Sequence, residues 1–327
     1  MPKFILNNEQ LPPIGLGTCF ATGEEMYNAV QFAIEHGYRH LDLSPRYGNQ
    51  KEIGLAIKKL LTEKKFIKNR SELILTSKLY HTCHRENLVE KQLNDILAEL
   101  QTDYLDYFLM HAPWAFVPKE EDVVDCAPKE DKFGAILDDS INYVDTWKFM
   151  LKHCTLDKVR HLGVSNFSAK MIDELYQETG VYPKVNQVEC HLLLQQDNLL
   201  EYCQAKNIQL IAYAPTGENK ITDSSFENSP SLRNHPEVTK IADKLGMNCT
   251  ATQVLLRFHY ERGIVTIPKS VTEKHILENF ESQSEKFCLG YEEFAKLRSL
   301  NQNKRFFGFN WIGKVKPEMY PFHDGTF

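Results

Sequence analysis

Eight short apolar runs, amphipathic segments with helical spacing between them, and a length of 327 residues predict a (β/α)8 TIM barrel. The runs are IGLG at 14–17, RHLDLS at 39–44, LILTSKL at 73–79, YLDYFLMH at 104–111, HLGVSN at 161–166, VNQVECH at 185–191, QLIAYAP at 209–215 and IVTIPKS at 264–270. An open doubly wound sheet has the same alternation, and alternation alone does not decide closure. No linker, internal repeat or low-complexity stretch interrupts the chain, so residues 1–327 are expected to form one domain.

Residues 1–13, with FILNN and EQLPP, predict a short hairpin ahead of the barrel. EEMYNAVQFAIEHG predicts a helix ending at Gly37. After Gly48, Asn49 is placed to cap a helix whose third residue is Glu52, a start resembling a capping box. RENLVEKQLNDILAEL, INYVDTWKFMLKH, AKMIDELYQE, DNLLEYCQAK and ATQVLLRFHYERG supply most of the remaining helices. Residues 112–139 and 216–235 break the rhythm as long loops, and loops of that length in a compact domain are usually lids or binding loops. The tail from Asn301 to Phe327 carries Phe306, Phe307, Phe309, Trp311, Tyr320 and Phe322 without helical period, and is expected to pack at the barrel mouth.

Hydrophobic residues make up 42% and charged residues 25%, with a formal net charge of -6. That charge offers no electrostatic basis for nucleic acid or an anionic membrane as partner. No apolar run approaches the ~20 residues that span a bilayer, and the start MPKFILNNEQ lacks a signal-peptide core. The eight cysteines, Cys19, Cys83, Cys126, Cys154, Cys190, Cys203, Cys249 and Cys288, include no C-x-x-C pair. Reduced thiols in a cytoplasmic protein are expected, with no metal site.

The polar residues gather where the runs end. Asp42 lies late in the second run, Lys78 near the end of the third, and His111 ends the fourth. Ser165 and Asn166 end the fifth; Gln187, Tyr213 and Lys269 with Ser270 fall late in the last three. In a TIM barrel these strand ends form the active-site face. A lysine inside LILTSKL needs a carboxylate or a task, because burying an unpaired ammonium is costly. Tyrosine, with a pKa of about 10, moves a proton poorly at neutral pH unless a cation favours its phenolate. Lys78, held by Asp42, is the expected cation, and Tyr47 the expected general acid for a developing alkoxide. His111 is expected to hydrogen-bond the same oxygen and orient the carbonyl.

Longer motifs carry a resemblance. IGLGT at 14–18, GYRHLDLSPRYGNQKEIG at 37–54, TSKL at 76–79, DYLDYFLMH at 103–111, GVSNF at 163–167, NQVECH at 186–191, AYAP at 212–215, IPKSVT at 267–272 and YPFH at 320–323 resemble the aldo-keto reductase family, of the aldose/aldehyde reductase type. The likeness covers nearly the whole chain in order. It implies a nicotinamide cofactor, NADPH/NADP+, extended across the barrel mouth, and no metal. It implies a monomeric NAD(P)H-dependent alcohol dehydrogenase or carbonyl reductase acting on a small-molecule carbonyl substrate by hydride transfer. The family's catalytic tetrad falls on Asp42, Tyr47, Lys78 and His111. The carboxamide-holding positions fall on Ser165, Asn166 and Gln187, and the ring-stacking tyrosine on Tyr213. Gly17 and Thr18 lie in the first cofactor motif, and the adenosine-phosphate end resembles Lys269, Ser270, Thr272, Glu278 and Asn279.

Two departures stand out. Related reductases usually carry an arginine where this chain has His275. A histidine is mostly neutral near pH 7 and lacks the planar fork, so NADH is expected as an additional cofactor beside NADPH. Related proteins also place tryptophans where this chain has Cys19, Tyr80 and Ala112, with Trp114 and Phe116 close by. With Tyr47, His111, Phe306 and Phe309, these positions are expected to line a pocket for bulkier or more hydrophobic carbonyls than small sugars.

Three rival readings explain less. A glycosidase would pair two strand-end carboxylates, for which Asp42 and Glu189 are the candidates, and it leaves Lys78 and Tyr47 without a role. A Rossmann dehydrogenase would rest on GLGTCF, which has two of three required glycines. A cofactor-binding, non-catalytic relative of the crystallin or channel-subunit kind is the alternative on the same fold, and the intact tetrad argues against it.

Overall fold

The computed structural model of the protein describes residues 5–6, 9–120, 123–124, 126–132, 134–217, 231–246 and 248–307. Its strands are β1 (Ile5–Leu6), β2 (Glu9–Gln10), β3 (Leu16–Gly17), β4 (His40–Asp42), β5 (Ile74–Leu79), β6 (Leu105–Met110), β7 (Glu130–Asp131), β8 (Gly134–Ala135), β9 (Val159–Ser165), β10 (Val185–Glu189), β11 (Gln209–Tyr213) and β12 (Val265–Thr266). β1 and β2 pair antiparallel as the expected hairpin. β3, β4, β5, β6, β9, β10, β11 and β12 are parallel neighbours in that order, one for each of the eight apolar runs.

The seam between first and last barrel strands separates the barrel from the open-sheet alternative. Ile14 bridges Thr266 and Gly17 bridges Lys269, both parallel. The backbone N–H groups of Gly15, Thr266 and Gly17 donate to Thr266, Pro13 and Pro268 at 2.8, 3.0 and 3.1 Å. Gly17 has no alternative here: a Cβ on it would stand 2.6 Å from the Ile267 carbonyl oxygen.

Ten helices lie among the described residues: α1 (Gly23–Glu35), α2 (Gln50–Glu63), α3 (Glu86–Leu100), α4 (Tyr143–His153), α5 (Ala169–Thr179), α6 (Asp197–Ala205), α7 (Pro236–Leu245), α8 (Ala251–Glu261), α9 (Glu273–Glu281) and α10 (Tyr291–Arg298). The apolar faces of most of them and the outer face of the strands form one large core, α7, α8 and α10 pack Val238, Ile241, Val254, Leu255, Phe258 and Leu297 into a second, and Leu11, Tyr107, Leu109, Val185, Ile211, Val265 and Ile267 form a separate cluster. Gly54 lets α2 approach α3, since a Cβ there would meet the Glu99 carbonyl oxygen at 2.4 Å.

One local expectation is overturned. Asn49 precedes α2 but makes no side-chain cap bond. Its amide donates instead to the carbonyls of Thr18 and Ala21, at 2.8 and 3.2 Å, tying the turn after β4 to the turn after β3. Long-range carbonyls outcompeted the local cap. The reciprocal capping box is made by Thr22 and Glu25 at the start of α1.

The 112–139 segment is not structureless. It turns back through bridges Phe116↔Leu137 and Pro118↔Pro128 and the β7–β8 ladder. Of the 216–235 segment, 218–230 lie outside the described residues, as do Phe309, Trp311, Tyr320 and Phe322 of the tail. The tail is described to Phe307, and there it is firmly held. Backbone N–H groups of Gln302 and Lys304 donate to the Leu193 carbonyl. The buried Glu189 carboxylate accepts from the N–H groups of Phe306 and Phe307, at 2.6 and 3.2 Å, and from Arg305 Nη1 at 3.1 Å.

Candidate active site

The eight parallel strands present their C-terminal ends at one mouth, and the expected polar residues sit there. Asp42 ends β4, Lys78 is the penultimate residue of β5, His111 follows β6, Ser165 ends β9, Gln187 lies in β10 and Tyr213 ends β11. Tyr47 comes from the short 3-10 turn Pro45–Tyr47, capped by Ser44 and closed by Gly48 at φ 68°. Pro45 suits the first position of that turn, and Gly48 takes the left-handed conformation without steric cost.

Lys78 and Asp42 form a buried ion pair, Nζ to Oδ2 at 2.7 Å. Nζ also donates to the Leu43 carbonyl at 2.9 Å and reaches the Tyr47 hydroxyl at 3.4 Å. Gln187 Nε2 donates to the second Asp42 oxygen at 2.7 Å, and Thr18 Oγ1 to the Asp42 carbonyl at 2.8 Å. Each carboxylate oxygen therefore has a donor, which is what a buried charge requires. This arrangement places the ammonium against the phenol.

The effect on Tyr47 differs from the expectation. Burial first, then Cys19, Asp42 and Tyr213, hold its pKa well above 10. Lys78 does not reverse this, because Asp42 at 2.7 Å matches its charge and the phenol meets a near-neutral pair. Tyr47 is thus a protonated donor at neutral pH, the form a general acid needs. Burial and the Lys78 charge push His111 well below the usual histidine range, leaving a neutral imidazole. Its Nδ1 is buried without a hydrogen-bond partner, so Nε2 is the nitrogen that remains for a substrate oxygen.

A second chain of bonds runs around the rim. Tyr213 donates from its hydroxyl to Asn166 Oδ1 at 2.9 Å, and Asn166 Nδ2 donates to the His111 carbonyl and to Ser165 Oγ, at 3.0 and 3.1 Å. Ser165 donates to the Gln187 carbonyl at 2.8 Å. Asn166 takes φ 64°, a conformation asparagine tolerates better than most residues. Beyond β12, Lys269 is exposed and Ser270 buried, and α9 begins at Thr272 without a side-chain cap. His275 is exposed in the first turn of α9, Asn279 is buried, and Glu278 lies 3.8 Å from Lys274. Among the described residues, no group of three or more His, Cys, Asp or Glu is arranged to hold a metal. Among the same residues, no helix is long and apolar enough to cross a membrane.

Residues 13–302 match the Aldo/keto reductase family. The chain belongs to the aldo-keto reductases. It is 38% identical to aldo-keto reductase family 1 member A1 of Sus scrofa, over 97% of this chain and 96% of that one. The human protein of the same name is 37% identical over the same shares. Among solved structures, the aldose reductase of Schistosoma japonicum superposes with a TM-score of 0.85 at 33% identity, covering 98% of this chain and 99% of that one. An aldo-keto reductase of Bombyx mori in complex with NADP gives 0.80 at 29%, with 97% of each chain covered. Aldo-keto reductases are oxidoreductases of carbonyl groups.

Within this aldo-keto reductase, several residues expected on the pocket wall stand behind it. Ala112, Trp114 and Phe116 are buried in a small cluster with Ala135 and Leu137. His81 lies between them and His111, parallel to Trp114 at 5.8 Å and stacked on His111 at 5.3 Å. Trp114 therefore stands behind His81 as seen from His111. Phe306 is also buried, stacked on His191 at 4.3 Å, and Tyr80 is buried with its ring edge toward His111. Cys19, Tyr47, His111 and Tyr213 keep part of their surface open.

Three residues near the site went unremarked in the sequence reading. His81 follows TSKLY directly. Arg46 precedes Tyr47 in the same turn, and Phe20 meets the Tyr47 ring edge-on at 5.7 Å. Arg46 lies inside the motif GYRHLDLSPRYGNQKEIG, and Phe20 two residues after IGLGT. Glu189, the second carboxylate of the glycosidase reading, is committed to the tail and to His191 Nε2 at 2.9 Å.

The histidines around the barrel set an acid limit. Burial lowers His40 to about 4, His84 and His259 to about 3, and His81 and His111 well below 6.5. In the unfolded chain these groups titrate near 6.5, so below that pH the unfolded state binds protons the folded state refuses. Unfolding free energy is expected to be flat between about pH 7 and 8 and to fall from pH 6.5 toward 4, by at least ~1.4 kcal/mol per pH unit. Denaturant titrations at pH 7.5, 6.5, 5.5 and 4.5 read this slope. A flat profile down to pH 5 would contradict the buried, neutral assignment.

Proposed function

We propose that this aldo-keto reductase reduces aldehydes and ketones to alcohols with NADPH, and that Tyr47 delivers the proton. The observation that carries the reading is the Asp42–Lys78–Tyr47 chain at the barrel mouth, with neutral His111 beside the phenol. The residues present suit a nicotinamide dinucleotide phosphate. Ser165, Asn166 and Gln187 offer amide and hydroxyl groups held in fixed orientation, and Tyr213 offers a ring face at the rim. The start of α9 leaves backbone N–H groups uncapped near Lys269, Lys274 and His275, a setting that favours a phosphate. A bound reduced nicotinamide supplies the hydride.

The protein's own part is the proton and the polarisation. Tyr47 O–H and His111 Nε2–H both point to the same carbonyl oxygen in this reading, so charge developing there meets two donors in a largely buried setting. As the phenol loses its proton, the Lys78 ammonium at 3.4 Å stabilises the phenolate, and Asp42 keeps the ammonium in place. Cys19, where relatives carry tryptophan, leaves room for carbonyls bulkier or more hydrophobic than small sugars.

The test is loss of 340 nm absorbance with purified protein, an aldehyde and ketone panel, and NADPH or NADH. NADPH oxidation with extended aldehydes faster than with glyceraldehyde or xylose is expected. His275 in place of an arginine predicts measurable NADH rates as well. Tight NADPH binding without turnover of any carbonyl would overturn the catalytic reading in favour of a cofactor-binding, non-catalytic role.

A further inference from the structure

The backbone of His111 is fixed on both sides, but its ring is not fixed by the same bonds. Its N–H donates to the Leu79 carbonyl at 3.1 Å, and its carbonyl accepts from Asn166 Nδ2 at 3.0 Å. The ring's Nδ1 is buried and finds no hydrogen-bond partner among the described residues, so no bond to that nitrogen sets the angle of the imidazole. Neighbouring rings set it instead. Tyr47 and Tyr80 meet His111 edge-on, with centroids at 6.4 and 6.1 Å and planes at 84° and 69°. His81 lies nearly parallel to it, at 5.3 Å and 17°, an offset stack.

His81 is itself held from several sides. It begins the 3-10 turn His81–Cys83, one residue after β5. Its carbonyl accepts from the Phe116 N–H at 2.9 Å. Its ring Nδ1 stands 3.4 Å from the Trp114 carbonyl oxygen, which only accepts, so Nδ1 is the nitrogen that donates there. On its far side Trp114 lies parallel at 5.8 Å and 2°, and Phe116 packs at 4.8 Å. Trp114 and Phe116 are fully buried, and a close-packed wall of this kind does not yield. Burial also keeps His81 and His84 neutral, so no charge in the stack pulls on His111. We infer that His81 is a positioning residue, whose ring, stacked on His111 and backed by Trp114, holds the imidazole in the plane that aims Nε2 at the substrate oxygen. To leave that plane His111 would drive its edge into His81, which Trp114 blocks. The inference rests on the carbonyl reduction proposed above and adds to it a group that acts through His111.

The experiment separates the ring of His81 from its hydrogen bond. His81→Phe keeps a flat ring without the donor, and His81→Asn keeps a donor for the Trp114 carbonyl without the ring. Wild type and both variants are compared in kcat with benzaldehyde and NADPH, in NADPH affinity by fluorescence quenching, and in ring-nitrogen NMR of His111. His81→Asn should lower kcat by about 3- to 10-fold, the worth of an aromatic contact carried into the barrier. Its NADPH affinity should stay at the wild-type value. The His111 ring, one neutral tautomer in the wild type, should become a mixture of Nδ1–H and Nε2–H forms. His81→Phe should recover most of the rate and the single tautomer. A thermal scan identifies a variant that does not fold, and the His111 spectrum of the other then decides. Wild-type rate in His81→Asn with a slow His81→Phe, or a His111 spectrum unchanged in His81→Asn, overturns the inference and leaves carbonyl reduction standing. If the wild type reduces no aldehyde, the reading under Proposed function falls and this one falls with it.

Discussion

Replacing Tyr47 by phenylalanine is expected to lower kcat for carbonyl reduction by about 10²–10⁴-fold, the usual contribution of a positioned general acid. The ring remains, so its packing against Phe20 and His111, with centroids at 5.7 and 6.4 Å, is kept. What disappears is the O–H proposed as the proton donor, whose conjugate base would sit 3.4 Å from Lys78. NADPH affinity, measured by fluorescence quenching, should change little, because Ser165, Asn166, Gln187 and the start of α9 are untouched. A Tyr47→Phe protein that retains wild-type kcat would remove Tyr47 from the mechanism.

The second large effect concerns the ion pair beneath the phenol. Lys78 is fully buried, and in Lys78→Met the Asp42 carboxylate loses its cation partner at 2.7 Å. Breaking a buried pair from one side costs about 3–5 kcal/mol, because the remaining charge is left uncompensated. Gln187 still donates to the Asp42 carboxylate, so the charge is not stripped of every polar partner. Neutralising the other side as well, in Asp42→Asn with Lys78→Met, should recover a substantial part of the loss. Guanidinium unfolding of the four proteins reads the coupling directly. Strictly additive losses would mean the two side chains do not depend on each other. Lys78→Met should also lose turnover, since among the described residues no other ammonium stands within hydrogen-bond distance of the Tyr47 hydroxyl, and Asp42→Asn should lose it because the ammonium is no longer held in place.

The two effects separate what was readable from what was not. That Asp42, Tyr47, Lys78 and His111 converge was legible, because barrel topology sends every strand's C-terminal end to one mouth and the apolar runs marked the strands. The state of the phenol was not legible. The nearby cation argued for a lowered pKa, and the structure reverses the direction, because burial is a property of the whole surroundings and the cation is already paired. The same limit governs His111, whose neutrality follows from its enclosure rather than from its neighbours in sequence.

The eight strands, the hairpin at the start and seven of the helices follow from hydrophobic period and turn residues, which act over a few positions and so leave a local signature. The residues that fix the rim do not. Asn49 lies at a helix start yet spends its amide on carbonyls 31 and 28 residues away. Glu189 holds the backbone of Phe306 across 117 residues, and Gln187 reaches Asp42 across 145. Trp114 and Phe116 read as pocket rings because they follow the catalytic histidine closely, but the chain turns back after β6 and buries them behind His81. The sequence by itself determined the eight strands, their alternation with helices and the polar chemistry at the strand ends, since local pattern suffices for these; closure into a barrel is decided by the seam of Ile14 with Thr266 and Gly17 with Lys269. Only the tertiary structure decided which side chains face the mouth, which charges are already matched and which protons stay in place, since each depends on groups brought together from distant parts of the chain.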